Sequence, residues 1–192
     1  MVNQLRPALV MTALFTLLLG LAYPLAVTGV AQLVFPDQAN GSLVRDAGGR
    51  VVGSALVGQP FVGATYLHPR PSAAGKGYDA SASSGSNLGP LNPDLAARVA
   101  ESARAIRAED GPGAIPADAV TTSGSGLDPD ISPAYARLQA ARIARARGVP
   151  VQQVHSIIDA HIEGAFLGFI GQPHVNVLMT NRALDARFGA EG

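Results

Sequence analysis

The chain has 192 residues, with 14 basic and 14 acidic side chains and therefore no net charge at neutral pH. Without an excess of basic residues, there is no electrostatic basis for predicting a nucleic-acid or anionic-lipid surface. The sequence has no cysteine and only four histidines, which argues against a structural zinc site.

The first predicted element is an apolar helix, because no charged side chain occurs between Pro7 and Pro36. A bilayer core requires roughly 20 apolar helical residues, and Ala8–Thr28 is long enough to cross it. Its leucine, valine and phenylalanine side chains favour insertion, whereas Pro24 is expected to kink the helix without breaking it. The residues assigned to the membrane anchor are Ala8, Leu14, Leu18, Tyr23, Pro24 and Thr28.

A cleaved signal peptide is the alternative interpretation of this segment. Arg6 would form its charged start, and Gly29–Ala31 would be a small-residue cleavage site. Signal peptides have apolar regions of only about 7–15 residues, which favours a retained anchor. We therefore divide the chain into a short tail and transmembrane anchor at 1–36 and one soluble domain at 37–192. The charges that flank the span do not fix its orientation.

The soluble part begins with a predicted strand and a long loop. Weak alternation of apolar residues predicts the strand within Arg50–Phe61. The Gly/Ser/Pro-rich stretch His68–Asn92 has the composition of a flexible linker. Its embedded Arg70 and Tyr78 favour an ordered loop instead, and loops of this length inside a domain are usually functional.

Helices follow, and each starts with a proline that comes after a capping or turn residue. They are predicted from Pro93 to about Glu109, from Pro133 to Gly148 and from Pro150 to about Glu163. A strand at His174–Thr180 and a short helix from Asn181 complete the chain. The predicted fold class is α/β of the α+β type: a single N-terminal transmembrane helix and one small mixed domain with two or three strands and long ordered loops.

Four arginines occur on the second of these helices. They favour a solvated face over a stripe that binds a partner, because cations are stabilised near the C-terminus of a helix. These residues are Arg137, Arg142, Arg145 and Arg147.

Two similar Ser/Gly segments, Ser84–Pro90 and Ser123–Pro129, each precede a helix that starts with proline. At the N-terminus of a helix they could present backbone N–H groups to an anion or to a carboxylate of a partner. A recurrent turn at the start of a helix explains the similarity equally well. Since ordered loops often serve recognition, the predicted partner contacts are Arg70, Ser84, Gly85, Ser86, Asn87, Ser123, Gly124, Ser125, Gly126 and Asp128.

Motifs for catalysis or phosphate binding are incomplete. Lys76 is followed by Gly77 and lacks the upstream glycine of a P-loop. Thr122 stands before Ser123, so no Gly-x-Ser-x-Gly elbow forms there. His161–Glu163 has the His-x-Glu pattern of zinc deaminases but no cysteine ligands. We predict no catalytic residue and no metal ligand.

The whole chain nevertheless resembles one family, through many motifs in order. They are Arg6–Ala8, Tyr23–Pro24, Asn40–Leu43, Gly53–Gln59, Arg70–Ala73, Ser84–Gly89, Thr122–Pro129, Ile131–Pro133, Arg142–Gly148 and Gly171–Leu178. The sequence is similar to the C-subunit (KdpC) family of the bacterial high-affinity potassium-transporting P-type ATPase. Thr180 and Arg182 depart from this pattern, since relatives look more apolar there.

The resemblance implies a non-catalytic accessory subunit that is needed for assembly or stability of a potassium uptake pump. Its implied partners are a channel-like potassium-binding subunit and the catalytic P-type ATPase subunit, which handle potassium and ATP. It further implies a single-pass protein of the bacterial inner (cell) membrane, with its soluble domain on the periplasmic side. Any assistance to ATP binding by the catalytic subunit would be indirect, through the conformational state of the complex.

Two alternatives from other classes stay open at this point. One is a membrane-anchored extracytoplasmic hydrolase that uses a loop serine such as Ser86 or Ser125. The other is a secreted binding protein whose leader is removed.

Overall fold

The charge-free N-terminal segment is helical up to Val34 in the computed structural model, which describes residues 2–189. Helix α1 (Val2–Leu17), one π-helical turn (Leu18–Ala22) and helix α2 (Tyr23–Val34) follow one another directly. The π turn lies just before Pro24, and in it the Tyr23 N–H donates to the Leu18 carbonyl. Since a proline ring presses on the carbonyl four residues earlier, a wider turn at this point accommodates it.

All six residues assigned to the anchor lie in this helical segment, and all six are exposed. Within Asn3–Val34, the most apolar 18-residue window has a mean hydropathy of 2.0, and none of that window is buried. By length and composition it is the one helix among the described residues that could cross a membrane. The prediction of a single N-terminal transmembrane helix therefore agrees with the structure.

A short helix and a hairpin follow: α3 (Pro36–Ala39), β1 (Leu43–Arg45) and β2 (Val51–Ser54). The predicted strand in Arg50–Phe61 is thus only four residues long, because the Ser54 hydroxyl accepts from the Leu56 N–H and turns the chain. The structure divides into two compact units, one up to Val52 and one from Gly53 onward.

The second unit contains the remaining elements. They are α4 (Pro93–Asp110), α5 (Ala117–Val120), β3 (Asp130–Ile131), α6 (Pro133–Arg147), α7 (Val151–Ala160), β4 (Ile162–Glu163), β5 (His174–Asn176) and α8 (Val177–Phe188). The strands form an antiparallel sheet in the order β3-β5-β4, with Val175 opposite both Ile131 and Ile162. This mixture of helices and short antiparallel strands confirms the α+β prediction.

Side-chain caps fix the helix starts that the sequence predicted for α4 and α6. The Asn92 side chain accepts from the Asp94 N–H at 2.8 Å, and the Ser132 hydroxyl accepts from the Tyr135 N–H at 3.0 Å. Gly148 ends α6 in the left-handed conformation, with φ of 64°.

The last two predicted boundaries were wrong. The third predicted helix, α7, stops at Ala160 and is followed by β4. The last helix starts at Val177 and not at Asn181, because the Asn176 side chain accepts from the Met179 N–H at 3.1 Å and caps it. The buried Thr180 hydroxyl donates to the Asn176 carbonyl at 2.7 Å, which accommodates a polar residue inside this first turn.

The core of the second unit lies between α6, α7, β5 and α8. Three buried alanines at four-residue spacing on α6, Ala136, Ala140 and Ala144, let α7 pack closely through Val154 and Ile158. Further core side chains are Leu67, Ile106, Ile131, Tyr135, Ile143, Val175, Val177 and Leu184.

Two of the four arginines on α6 have nearly inaccessible side chains, with 7% of Arg142 and 3% of Arg147 exposed, so the prediction of a solvated face was wrong for them. Arg142 and Asp110 form an ion pair at 2.8 Å, and their side chains are only 7% and 2% exposed. Arg142 also donates to the carbonyls of Ala64 and Tyr66 at 2.9 and 3.0 Å. It therefore ties α4 and α6 to the segment that precedes the long loop.

Arg147 is held in the same way at the end of α6. Its guanidinium pairs with Asp185 of α8 at 2.8 Å and donates to the Thr65 carbonyl at 2.8 Å. It also stacks over the Tyr66 ring, 5.1 Å from the centroid. Only Arg137 and Arg145 remain on the exposed face that the sequence predicted.

Candidate functional site

The two Ser/Gly segments predicted as partner contacts lie against each other, and we call Ser84–Pro90 with Ser123–Pro129 the paired loops. The Ser84 N–H donates to the Ser125 carbonyl at 3.0 Å. The Ser83 hydroxyl donates to the same carbonyl at 2.9 Å. The sequence similarity had suggested that the two segments lie at the starts of two different helices in equivalent positions. In the structure the two segments contact each other.

Glycine is required where the paired loops meet. Gly126 has a φ of +67°, and a Cβ there would lie 2.5 Å from the Ser84 carbonyl oxygen and 2.7 Å from the Ala74 nitrogen. A Cβ on Gly85 would lie 3.1 Å from the Gly124 carbonyl oxygen. The backbones therefore approach more closely than side chains would permit.

An ion pair supports the paired loops from inside. Arg70 donates to Asp128 at 2.7 Å, with 23% and 29% of their side chains exposed. The Tyr78 hydroxyl donates to the Arg70 carbonyl, and burial is the main cause that raises the pKa of Tyr78. The Ser72 hydroxyl donates to the Gly126 carbonyl at 2.6 Å. Arg70 and Asp128 thus organise the site, beyond any role in contacting a partner.

The remaining predicted contacts differ in accessibility. Ser84, Asn87, Gly124 and Ser125 are exposed, whereas Gly126 is buried. Arg70, Gly85, Ser86, Ser123 and Asp128 are half-buried, and the Ser86 hydroxyl accepts from Arg98 at 3.1 Å. Four of the predicted contacts therefore lie on the outer surface of the paired loops.

The helix starts beside the paired loops are occupied by groups of the chain itself. Asn92 and Ser132 cap α4 and α6. The Asp118 carboxylate accepts from the Ser132 N–H at 2.7 Å and from its hydroxyl at 2.9 Å. An internal carboxylate thus lies at the start of α6, where the sequence suggested an anion or a partner's carboxylate.

Two side-chain amides bind the backbone of Leu67 and His68, in the way that a neighbouring strand would. Asn181 accepts from the Leu67 N–H at 2.7 Å and donates to the Leu67 carbonyl at 3.0 Å. Gln139 accepts from the His68 N–H at 2.7 Å and donates to the His68 carbonyl at 3.1 Å. Sequence reasoning missed both amides. The signal in the sequence was an amide side chain on the apolar face of a helix. Such an amide is buried only where it forms hydrogen bonds.

A cavity of about 330 Å³ lies next to His68. It is lined in part by Phe61, His68, Arg70, Tyr78 and Tyr135. Burial, followed by the charge of a nearby arginine, lowers the pKa of His68. Burial likewise raises the pKa of Tyr135 above the ordinary tyrosine value. Arg70 and His68 at the cavity help to hold the fold, because Arg70 pairs with Asp128 and His68 binds the Gly63 carbonyl through its ring. Within residues 2–189, the buried Nε of Arg70 has no hydrogen-bond partner.

The hydroxyls of the two serines considered as nucleophiles bind other groups of the chain. The Ser86 hydroxyl accepts from Arg98, and the Ser125 hydroxyl accepts from the Leu127 N–H at 3.1 Å and lies near Ser123. In the described part of the chain, neither hydroxyl hydrogen-bonds to a histidine, as an activated serine would.

Comparison with known proteins shows the family. Residues 5–186 match the family model described as KdpC, the c chain of the K+-transporting ATPase. The chain is 70% identical to the potassium-transporting ATPase KdpC subunit of Caulobacter vibrioides over 98% of its length and 95% of that protein. It is 56% identical to the KdpC subunit of Mycobacterium bovis over 95% of its length and 98% of that protein. The chain therefore belongs to the KdpC family of potassium-transporting ATPase subunits.

Proposed function

We propose that this chain is a non-catalytic accessory subunit of an ATP-driven potassium uptake pump. It assembles with a channel-like potassium-binding subunit and with the catalytic P-type ATPase subunit, which handle potassium and ATP. The observation that carries the proposal is the site itself: loops fixed from inside by Arg70 and Asp128 present Ser84, Asn87, Gly124 and Ser125 outward. Ordered, exposed loops of this kind are suited to recognising a protein partner.

The proposed location is the bacterial cell membrane. Residues 1–36 provide the tail and single-pass anchor, and residues 37–192 form a soluble domain on the periplasmic side. Any effect on ATP use by the catalytic subunit is then indirect, because a domain on the outer face acts only by favouring one conformational state of the complex. The long apolar helix and the family membership support this arrangement.

Purification of the tagged full-length chain from membranes in mild detergent tests assembly. The expected result is that channel-like and P-type ATPase subunits co-purify with it, and that deletion of Ala8–Phe35 abolishes this. A full-length chain that purifies alone from cells grown under potassium limitation would contradict the proposal. A serine-directed covalent probe would then test the hydrolase alternative, and the mass of the mature chain would test a removed leader.

A bulky charge at the paired loops tests their role as a contact. A Cβ on Gly124 meets no atom within 4 Å, so Gly124→Arg projects outward without a clash. Ala108 lies exposed on α4 and provides the control Ala108→Arg. We expect Gly124→Arg to reduce co-purification of the partner subunits and Ala108→Arg to leave it unchanged. Equal recovery with both variants would place the contact elsewhere.

A further inference from the structure

A second surface of the soluble domain, separate from the paired loops, is an apolar hairpin between β4 and β5. We define the apolar hairpin as Ala165–Ile170. Four large side chains are exposed on it: Phe166 at 69%, Leu167 at 70%, Phe169 at 76% and Ile170 at 51%. Large apolar side chains are individually common on protein surfaces, but four within five residues form a patch that requires an explanation.

The apolar hairpin has a defined backbone. Phe166 and Ile170 exchange hydrogen bonds of 2.8 and 2.9 Å, and the Gly168 N–H donates to the Ala165 carbonyl at 2.9 Å. Leu167 and Gly168 both have positive φ, at 53° and 82°. Glycine adopts this conformation freely, whereas leucine is disfavoured in it. The chain thus holds Leu167 at the tip of the turn despite an unfavourable backbone conformation.

The size of the patch is suited to a specific contact. With each large apolar side chain contributing most of its surface, the apolar hairpin exposes roughly 500 Å². That is near the upper end for a monomer, and it supplies more than half of the ~800 Å² that one partner contributes to a standard interface.

Charges around the apolar hairpin distinguish a protein partner from a lipid surface. Glu163 precedes it and is 70% exposed, and His174 follows it, 3.7 Å from both Glu163 and Asp130. No lysine or arginine occurs between Gly148 and Arg182. Segments that lie in a membrane interface are rich in such residues, and an anionic lipid surface would repel Glu163. An exposed carboxylate beside an apolar tip is instead complementary to an apolar socket with a basic group at its edge.

We propose that the apolar hairpin docks into an apolar socket on another subunit of the same ATPase complex, with a basic group of that subunit facing Glu163. This inference rests on the proposed function, because it requires a complex in which the chain is an accessory subunit. The central anchors are Phe166, Leu167 and Phe169, and Glu163 contributes to the rate and the salt dependence of association.

The variant Leu167→Asn separates docking from folding. Asparagine tolerates positive φ better than leucine does, so the turn is retained while the apolar side chain is removed. Val62 is 86% exposed and lies outside both the paired loops and the apolar hairpin, so Val62→Asn is the matched control. Each full-length variant is titrated in detergent into the complex lacking this subunit. We expect about 30-fold weaker association for Leu167→Asn, the size of an interface hot spot, and less than a twofold change for the control.

Three outcomes of this titration have distinct meanings. Wild-type association with a 30-fold loss for Leu167→Asn supports docking. Wild-type association that Leu167→Asn leaves unchanged overturns docking and leaves the proposed function intact. Failure of the wild-type chain to associate overturns the proposed function and the docking with it. In Glu163→Gln, the fall of association with added salt should become shallower, whereas an unchanged salt dependence would contradict the basic edge of the socket.

A photo-crosslinking amino acid in place of Phe169 identifies what covers the apolar hairpin. Irradiation of the assembled complex in native membranes should yield an adduct with one of the other ATPase subunits, identified by mass. The same amino acid in place of Val62, which is 86% exposed and outside both proposed surfaces, is the control and should give no such adduct. An adduct with lipid, or none at all, would overturn the inference.

Discussion

Replacing Arg142 with leucine should lower the free energy of unfolding of the soluble domain by about 3–5 kcal/mol, because the change leaves the carboxylate of Asp110 buried without its cation. The pair is nearly inaccessible, with 7% and 2% of the two side chains exposed. The guanidinium also binds the carbonyls of Ala64 and Tyr66, and these acceptors lose their donor in the same step.

The expected loss is large enough to measure on the full-length chain in detergent. For a domain of this size, about 3–5 kcal/mol corresponds to a fall in the melting temperature of roughly 10 °C. Thermal melts by circular dichroism, together with urea midpoints, would give the difference between variant and wild type. Because leucine has good helix propensity, the loss is not attributable to α6 itself.

Arg137 on the same helix provides the matched control. Its ion pair with Asp159 is also 2.8 Å long, but the two side chains are 48% and 52% exposed. Solvent screens such a pair, so Arg137→Leu should cost only about 0–1 kcal/mol. Equal losses for Arg137→Leu and Arg142→Leu would refute the argument from burial. The double variant Asp110→Leu/Arg142→Leu should recover part of the loss, because the isolated charge is then removed.

The remaining predictions concern the paired loops and the pH dependence of folding. Gly126→Ala should destabilise the domain by roughly 1–3 kcal/mol, because its Cβ would lie 2.5 Å from the Ser84 carbonyl oxygen; Gly124→Ala, which meets no atom within 4 Å, should be nearly neutral in the same urea titration. Burial and then the Arg142 charge lower the pKa of His68 below its ordinary value of about 6.5. The unfolded chain therefore binds this proton more readily, so stability should be fully present above pH 6.5 and decrease as the pH falls below it. Urea midpoints should show this decrease in wild type and a smaller one in His68→Gln, and identical profiles would contradict it.

Local signals in the sequence were sufficient to predict the elements that depend on neighbouring residues. The anchor depends on a run of uncharged residues, and α4 and α6 depend on a capping side chain before a proline at Pro93 and Pro133. The start of α8 is just as local, but the Asn176 cap was missed because His174–Thr180 also has the β-branched and apolar composition of a strand. The short strands β1 and β3 carry too few residues for a periodic pattern to emerge.

The site could be predicted only in part, since its residues are distant in the sequence. Glycine and serine composition identified both paired loops, yet their contact depends on Arg70 reaching Asp128 across the fold. The roles of Arg142 and Arg147 in holding the fold were invisible to a helix-face argument, because their partners lie between Ala64 and Tyr66, on α4 and on α8. An arginine on a helix is expected to be exposed unless a charged partner from another part of the chain is known, and the sequence alone does not show that partner.

The internal supports of the site determine how contacts with partners must be mapped. Arg142, Gln139 and Asn181 project from α6 and α8 and hold the backbone between Ala64 and His68. This backbone leads to Arg70, which pairs with Asp128 of the paired loops. A substitution at any of these three residues would loosen the loops and weaken assembly without removing a single contact with a partner. Loss of assembly therefore identifies a contact with a partner only under two conditions. The substituted position must be exposed, and the substitution must leave the amide hydrogen exchange of the loops unchanged. Gly124 and Leu167 meet the exposure requirement, which is why the tests of the two surfaces are placed there.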